Sequence, residues 1–150
     1  MANEREENQG RIVVGVDGSE PSRAALRWAL RQARLTGAAV EAVIGWEVPI
    51  TYGWDLALVQ NDDIEAAAAK TLQETIEQEA GPRPEVPVLS RVAEGNAARV
   101  LLEAADGADL LVVGNRGHGG FTGALLGSVS QHCVQHANCP VVVIRGEHRS

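Results

Sequence analysis

The stretch LLVVGNRGHGGFTGALLGSVSQHCVQHA, residues 110–137, joins a continuous apolar run to a helix-like segment through a glycine-rich loop. Six glycines fall in this stretch: Gly114, Gly117, Gly119, Gly120, Gly123 and Gly127. Glycine costs roughly 0.5–1 kcal/mol relative to alanine wherever the chain must be ordered. A glycine cluster in a compact protein therefore indicates a place where the backbone approaches something closely.

Outward from this loop, apolar runs of strand length alternate with segments of helical periodicity. The predicted strands cover residues 11–17, 38–48, 86–95, 108–114 and 139–145, and the predicted helices cover 19–37, 62–81, 96–107 and 127–137. Ser19 is the predicted N-cap of the first helix and Gly37 its stop. This alternation predicts an α/β fold, a Rossmann-like, open, mainly parallel five-stranded sheet with helices on both faces.

The apolar runs RIVVGV, DLLVVG and PVVVI lack the alternation of a half-exposed strand, so we expect these strands to be buried on both faces. The expected strand order is 3-2-1-4-5, in which the order reverses between the first and fourth strands. Ligands of such sheets bind at the carboxyl ends of the strands beside the reversal. This arrangement places VDGS at 16–19 next to GNRGHGG at 114–120.

Length and composition bound the possible functions. A chain of 150 residues with 45% hydrophobic content is long enough for one core, which we place at residues 11–146, between a flexible leader (1–10) and a tail (147–150). The net charge of −7 predicts no nucleic acid partner, because the protein would repel a polyanion. No apolar run approaches the roughly 20 residues that cross a bilayer, and the leader lacks a signal-peptide pattern. We expect a cytoplasmic protein with no membrane partner.

Two groups of side chains have alternative interpretations. Cys133 and Cys139 are expected to remain thiols in a reducing compartment, with a redox switch, or a zinc site shared with two nearby histidines, as alternatives. The arginines on the polar side of the first helix are expected to form a solvated face, and the alternative is a docking surface for an acidic partner. The side chains concerned are His132, His136, Arg23, Arg27, Arg31 and Arg34.

Three mechanisms could use the glycine loop to bind phosphate. A Walker-type loop requires a lysine at its end, but the only lysine is Lys70, far from the loop in sequence. A dinucleotide fingerprint should follow the first strand, where this chain has VDGSE instead. The third mechanism fits better, because the amides of a glycine-rich turn and of a helix amino terminus form an anion site. Arg116 would add charge there, and Ser128 and Ser130 would add hydroxyl groups.

The spacing of Gly114, Gly117, Gly127 and Ser128 is the G-x2-G-x9-G-[ST] signature, and here the chain resembles the ATP-binding branch of the universal stress protein family. The stretches VVGVDGSEPSRAALRWAL, EGNAARVLLEAADGADLLVVGNRGHGG and LGSVSQHCVQHANCPVVVIR are similar to the opening, the middle and the end of that family. The resemblance covers nearly everything from residue 11 to residue 145.

The resemblance implies a nucleotide site shared between two strand ends. It implies that Gly15, Val16 and Asp17 line the nucleoside side and that the backbone near Gly45 meets the adenine. The residues implied at the phosphates are Gly114, Asn115, Arg116, Gly117, His118, Gly119, Gly120, Gly127, Ser128, Val129 and Ser130. Asp17 would accept ribose hydroxyls or order water on a Mg²⁺ ion, and the alternative is a supporting role at the start of the first helix.

The resemblance also implies a homodimer through the last strand, Pro140 to Arg145, because an open apolar edge strand is a liability. The expected function is a dimeric, ATP-binding regulator in a stress response, with ATP and Mg²⁺ as ligands. Two alternatives stay open: a slow ATPase or self-phosphorylating switch, and a cyclic AMP-binding module. Binding is better supported than turnover, because hydrolysis requires a positioned water and a group that orients it.

Overall fold

The computed structural model describes residues 9–48, 61–116 and 127–146 of the chain. The elements in these ranges are β1 (Arg11–Gly15), α1 (Glu20–Thr36), β2 (Ala39–Trp46), α2 (Asn61–Ala80), β3 (Val88–Glu94), α3 (Ala97–Ala104), β4 (Leu110–Gly114), α4 (Ser128–His136) and β5 (Val141–Ile144). The strands form one sheet in the order β3-β2-β1-β4-β5, and every neighbouring pair is parallel. The predicted α/β fold and its strand order are confirmed.

Local signals place the start and end of α1 as predicted. The Ser19 side chain accepts a hydrogen bond from the Ser22 amide at 3.4 Å, which caps the first turn. Gly37 ends the helix with φ of +76°, a left-handed conformation that favours glycine, and its amide donates to the Ala33 carbonyl at 2.8 Å. The first strand ends at Gly15, two residues earlier than predicted, although the Val16 amide still donates to the Val43 carbonyl at 2.8 Å.

Each face of the sheet has its own apolar cluster. The cluster under α1 and α2 includes Val14, Leu26, Val40, Leu72 and Val112, which are all buried. The cluster under α3 and α4 includes Val13, Leu101, Leu111, Val113 and Cys133. Successive residues of β1 and β4 therefore point into opposite clusters, which explains the unbroken apolar runs in these strands. No helix in the described ranges is long and apolar enough to cross a membrane.

The two edge strands differ from the central ones. All four residues of β5 are only partly buried, so the prediction that PVVVI is buried on both faces is wrong for this single chain. The reason is position, because β5 has one neighbouring strand and less cover than β1 or β4. The middle of β3 is also exposed, at Leu89, Ser90 and Arg91. Sequence alone does not reveal this difference, since edge and central strands have similar apolar content.

A buried carboxylate joins three strands on the face that carries α3. Glu41 in β2 pairs with Arg11 of β1 at 3.5 Å and with Arg91 of β3 at 3.0 Å, although the second contact is poorly aligned for a hydrogen bond. Arg11 also donates to the carbonyls of Ala104 (2.7 Å) and Asp106 (2.8 Å) at the end of α3. Arg11 therefore links the sheet to the carboxyl end of α3, where a cation is favourable.

Both cysteines are free thiols in the structure. Cys133 is completely buried in α4, and burial raises its pKa from 9.0 to about 11. Cys139 is half-buried, and burial also raises its pKa, partly opposed by nearby Arg11. The rings of His132 and His136 stand 5.0 Å apart, but in the described ranges no three histidine, cysteine or acidic side chains are grouped closely enough to hold a metal ion.

The Glu41 cluster leads to a prediction about stability. Arg11→Ala should lower the free energy of unfolding by about 3 kcal/mol, because it leaves a buried carboxylate with one partner and two helix-end carbonyls without their donor. The matched control is Arg91→Ala. That side chain is half exposed and should cost less than about 1 kcal/mol. Urea unfolding followed by circular dichroism measures both values, and equal losses in the two variants would contradict this account.

The thiol environments lead to a second prediction. In the native protein at about pH 8, Ellman's reagent should modify Cys139 slowly and Cys133 hardly at all, because the thiolate is the reactive form and burial disfavours it. Both thiols should react rapidly in denaturant. Mass spectrometry of peptides from partly modified protein locates the label. Rapid native labelling of Cys133 would show that α4 opens more readily than its packing indicates.

Candidate functional site

The candidate site lies at the carboxyl edge of the sheet, where β1 and β4 run side by side. Their register aligns Ile12 with Leu110 and Val14 with Val112, so both strands end at the same edge. The sheet order reverses at this pair, since β2 follows β1 on one side and β5 follows β4 on the other. The predicted strand order, which brings the ends of β1 and β4 together, is therefore confirmed. The placement of the whole segment 114–120 beside residues 16–19 stays a prediction, because residues 117–120 lie outside the described residues.

After β1, Asp17 forms a tight turn that begins α1. Its Oδ1 atom accepts hydrogen bonds from the Ser19 amide at 2.9 Å and from the Ser19 hydroxyl at 2.5 Å. Its own amide donates to the Ser22 hydroxyl at 3.3 Å. Gly18 completes the turn with φ of +82°. These bonds correspond to the helix-supporting role, while the predicted contact of Asp17 with ribose or Mg²⁺ stays a prediction.

Three of the predicted site glycines lie where a helix packs closely on a strand end. A Cβ atom on Gly114 would lie 2.7 Å from the Pro21 carbonyl carbon in the first turn of α1. A Cβ atom on Gly15 would lie 2.8 Å from a methyl group of Leu101, and one on Gly45 would lie 3.1 Å from the Ala97 Cα. The closest contacts of Gly114 and Gly45 are with backbone atoms and disfavour larger residues for packing reasons that do not involve a ligand, whereas the Leu101 methyl group beside Gly15 can shift more easily. This packing role was not predicted from the sequence.

Asn115 connects the end of β4 to both β5 and α4. Its amide donates to the Ile144 carbonyl at 2.8 Å. Its carbonyl accepts from the Gly127 amide at 2.7 Å and from the Ser130 hydroxyl at 3.4 Å. Ser130 is buried and also donates to the Gly127 carbonyl at 3.0 Å. These bonds place the two ends of the glycine-rich stretch, Gly114–Arg116 and Gly127–Ser130, against each other.

The amino terminus of α4 begins at this junction. Gly127 is the N-cap residue, and no side-chain hydrogen bond caps the helix within the described part of the chain. The first amides of an α-helix have no partner inside the helix. The amides of Ser128, Val129 and Ser130 are such groups, and together with the helix dipole they favour an anion. Ser128 is exposed, so an anion can reach this end from solvent.

The remaining predicted phosphate residues are only partly described. Arg116 is half-buried directly after β4 and is engaged in an interaction of its own. Gly117, His118, Gly119 and Gly120 lie outside the described residues. The Oδ1 atom of Asn115 is buried and has no hydrogen-bond partner among the described residues. A buried acceptor of this kind costs about 1–3 kcal/mol when it lacks a donor, so a ligand hydroxyl or amino group would satisfy it.

A cavity of about 710 Å³ lies along the same edge, where β2 and β3 end. Its lining includes Glu47 and Val48 after β2, Glu94 at the end of β3, and Arg99 in α3. It adjoins Gly45, because a Cβ atom there would lie 3.2 Å from the carbonyl oxygen of Gly95, another lining residue. The volume is in the range of small-molecule sites. This cavity could not be predicted from the sequence, because its walls come from separate turns.

The fold and the site define a doubly wound α/β protein in which a helix begins beside the strand reversal. The sequence model of the Universal stress protein family matches residues 9–145. The chain belongs to this family, as its resemblance indicated. The match begins at residue 9. This end of the matched region is hydrogen-bonded to β2, because the Ala39 amide donates to the Gly10 carbonyl at 2.8 Å.

Relatives of known sequence and structure are similar throughout the domain. A universal stress protein of Mycolicibacterium smegmatis is 34% identical over 142 residues, which cover 91% of this chain and 48% of that protein. The chain therefore spans about half the length of the curated relatives it matches. The structure of UspA from Lactobacillus plantarum superposes with a TM-score of 0.76 at 27% identity, covering 91% of this chain and 97% of that one.

Several similar structures were solved with adenine nucleotides. A universal stress protein in complex with cAMP has a TM-score of 0.70 at 24% identity and covers 92% of this chain and 98% of that one. Family proteins from Archaeoglobus fulgidus with dAMP (TM-score 0.55, 23% identity) and from Arabidopsis thaliana with AMP (TM-score 0.59, 19% identity) each cover at least 90% of both chains. At these identities the likeness shows a shared fold.

The packing of Gly114 against Pro21 predicts a loss of stability that does not depend on ligand binding. Gly114→Ala should lower the free energy of unfolding by about 1–3 kcal/mol without any ligand, because the methyl group collides with Pro21. Gly146→Ala is the matched control, since its Cβ would lie 3.2 Å from the Cγ end of the same proline. Thermal unfolding of the ligand-free variants measures both effects. A Gly114→Ala variant as stable as the control would indicate that α1 shifts at little cost.

Proposed function

We propose that this protein binds an adenine nucleotide, ATP together with Mg²⁺, across the carboxyl edge of its sheet. The observation that carries the proposal is the junction at Asn115, whose carbonyl holds the uncapped amino terminus of α4 beside the end of β4. Phosphates would accept hydrogen bonds from the amides of residues 128–130, with Arg116 as the adjacent cation. The exposed hydroxyl of Ser128 is a further candidate donor, whereas the buried hydroxyl of Ser130, predicted to have the same role, already donates to the carbonyls of Asn115 and Gly127.

Charge along the edge favours one orientation of the nucleotide. The end at β4 and α4 presents helix amides and Arg116. The cavity at β2 and β3 presents two carboxylates, Glu47 and Glu94, and one guanidinium, Arg99, so the formal charge of its lining is negative. Carboxylates repel phosphates and accept hydrogen bonds from amino groups. The adenine would therefore lie toward Gly45 and this cavity, and the triphosphate would lie toward α4. Strands are about 4.8 Å apart, so the edge from β3 to β4 spans on the order of 15 Å.

Two roles of Asp17 in this proposal are compatible with its existing bonds. Its Oδ1 atom accepts hydrogen bonds from Ser19, which fixes the carboxylate in the turn after β1. A Mg²⁺ ion is usually bound through phosphates and water with one or two carboxylates, and Asp17 fits the role of a single carboxylate that orders such a water. The ion would offset the charge of the triphosphate. Accepting a ribose hydroxyl is the other role for this group.

The ligands of similar structures also support the proposal that this protein binds an adenine nucleotide. Proteins of the same fold were solved with cAMP, dAMP and AMP, all adenine nucleotides. Each of these ligands carries an adenine base and a single phosphate group, which agrees with a base-binding end that accepts adenine and with an adjacent phosphate-binding end. Cyclic AMP is thus the second candidate ligand, favoured by the complex of a relative that is 24% identical.

The proposed role is that of a cytoplasmic dimeric regulator in a stress response. The half-buried apolar strand β5 supports a homodimer, since pairing it with a second copy would cover side chains that one chain leaves open. Asn115 donates to Ile144 of the same strand, so nucleotide bound at α4 would stabilise the end of β5. Nucleotide occupancy would in this way affect the dimer, with at most slow hydrolysis.

Two substitutions at Ser128 test whether its backbone amide binds phosphate. Ser128→Pro removes both the amide hydrogen and the hydroxyl, whereas Ser128→Ala removes the hydroxyl and keeps the amide. Proline is tolerated in the first turn of a helix, and Gly127 already has the extended ψ of 160° that a following proline requires. Loss of a hydrogen bond to a charged group costs about 1.5–3 kcal/mol, so ATP binding should be roughly 10-fold to 100-fold weaker in the proline variant than in the alanine variant.

Isothermal titration with ATP and Mg²⁺ measures these affinities, and far-ultraviolet circular dichroism verifies that both variants fold. Equal ATP affinity in the two variants would contradict the proposal that the amino terminus of α4 binds the phosphates. A wild-type protein that binds neither ATP nor cyclic AMP would overturn the nucleotide proposal. Competition between the two ligands then shows which one binds more tightly. Tighter binding of cyclic AMP than of ATP would make cyclic AMP the preferred ligand.

A further inference from the structure

A second surface feature lies at the opposite edge of the sheet. A groove of about 330 Å³ runs between the last turns of α1, the end of α2 and the segment that leads into β3. Because α1 runs antiparallel to the strands, its last turns lie at the amino edge, far from the site after β1 and β4. The groove is therefore separate from the proposed nucleotide site.

Arginine dominates the wall of this groove. Arg27, Arg31 and Arg34 come from α1, and Arg83 comes from the segment after α2. These are four of the 13 basic residues in a chain whose net charge is −7. The lining carries two acidic side chains, Glu79 and Glu85. Its formal charge of four minus two is positive, which is opposite in sign to the charge of the whole chain.

The four arginines differ in how far they are already neutralised. Arg27 bonds to Glu79 at 2.9 Å and to Glu20 at 3.0 Å, and these two hydrogen bonds raise its pKa. Arg34 pairs with Glu85 at 3.2 Å, but both side chains are more than half exposed, so this pair contributes little. Arg31 and Arg83 are exposed and make no ion pair with the described residues. The latter two are available to a ligand.

The floor of the groove is apolar. Leu30, Ala80 and Val86 line it and are partly buried against the core cluster under α1 and α2. An apolar floor beneath a cationic rim is suited to a ligand that has both an aliphatic group and negative charges. The lining has no aromatic side chain on which a nucleic acid base could stack, which disfavours single-stranded nucleic acid.

We propose that this groove docks an acidic peptide segment of a partner protein. One aliphatic side chain of the segment enters the groove over Leu30 and Val86, and flanking carboxylates pair with Arg31 and Arg83. Charge complementarity of this kind accelerates encounter and selects partners more than it raises affinity, so binding is salt-dependent. The groove favours a docking surface over a merely solvated surface for the arginine face of α1.

The test uses the full chain and a short fluorescein-labelled peptide with one leucine between runs of glutamate. Fluorescence anisotropy should show saturable binding at low salt that weakens as salt is added. The Arg31→Ala and Arg83→Ala variants should each bind about threefold to tenfold more weakly, and replacing the peptide's leucine by serine should also weaken binding. Lys70→Ala is the matched control, since it removes an exposed charge on α2 outside the groove.

Three results would overturn the proposal. The first is unchanged affinity in both arginine variants, and the second is an equal loss of affinity in Lys70→Ala, which would indicate a general charge effect. The third is tighter binding of a thymidine oligonucleotide than of the peptide. The Ser128→Pro variant should bind the peptide as the wild type does, so failure of the nucleotide proposal and failure of this one are distinguishable.

Discussion

The backbone of Asn115 determines how the carboxyl edge of this sheet is arranged. Its amide binds the end of β5, and its carbonyl binds the Gly127 amide and the Ser130 hydroxyl at the start of α4. These bonds, together with the packing of Cys133 on the sheet, hold the residues on either side of the glycine-rich stretch in a fixed relation. The first amides of α4, which have no partner inside the helix, therefore lie next to the strand reversal, where the fold already provides a crevice.

The two edges of the sheet differ in what they offer to other molecules. The carboxyl edge combines helix amides and Arg116 at one end with Glu47 and Glu94 at the other, a distribution that suits a ligand with a phosphate end and a base end. The amino edge carries an arginine-lined groove with an apolar floor. The charged side chains of both surfaces lie outside the buried clusters, so they can change without altering the core.

Much of the fold could be predicted from local patterns in the sequence. Helical periodicity, the Ser19 cap and the Gly37 stop identified α1, and the alternation of elements identified the parallel sheet. The exposure of β5 could not be predicted, because it depends on lateral position in the sheet. The close packing of Gly114 on Pro21 was also missed, since a glycine that admits a helix and a glycine that admits a phosphate have the same sequence signal. The cavity beside Glu47 and Glu94 exists only after distant turns converge.

The most direct test of the account is a titration of ¹⁵N-labelled protein with ATP and Mg²⁺, followed through the backbone amide resonances. The account predicts that the largest shifts occur at Ser128, Val129 and Ser130, with smaller shifts after β1 and near Gly45. The amides of Arg31 and Arg83, at the opposite edge, should not move. Largest shifts at the amino edge, or none at the start of α4, would contradict the claim that α4 binds the phosphates.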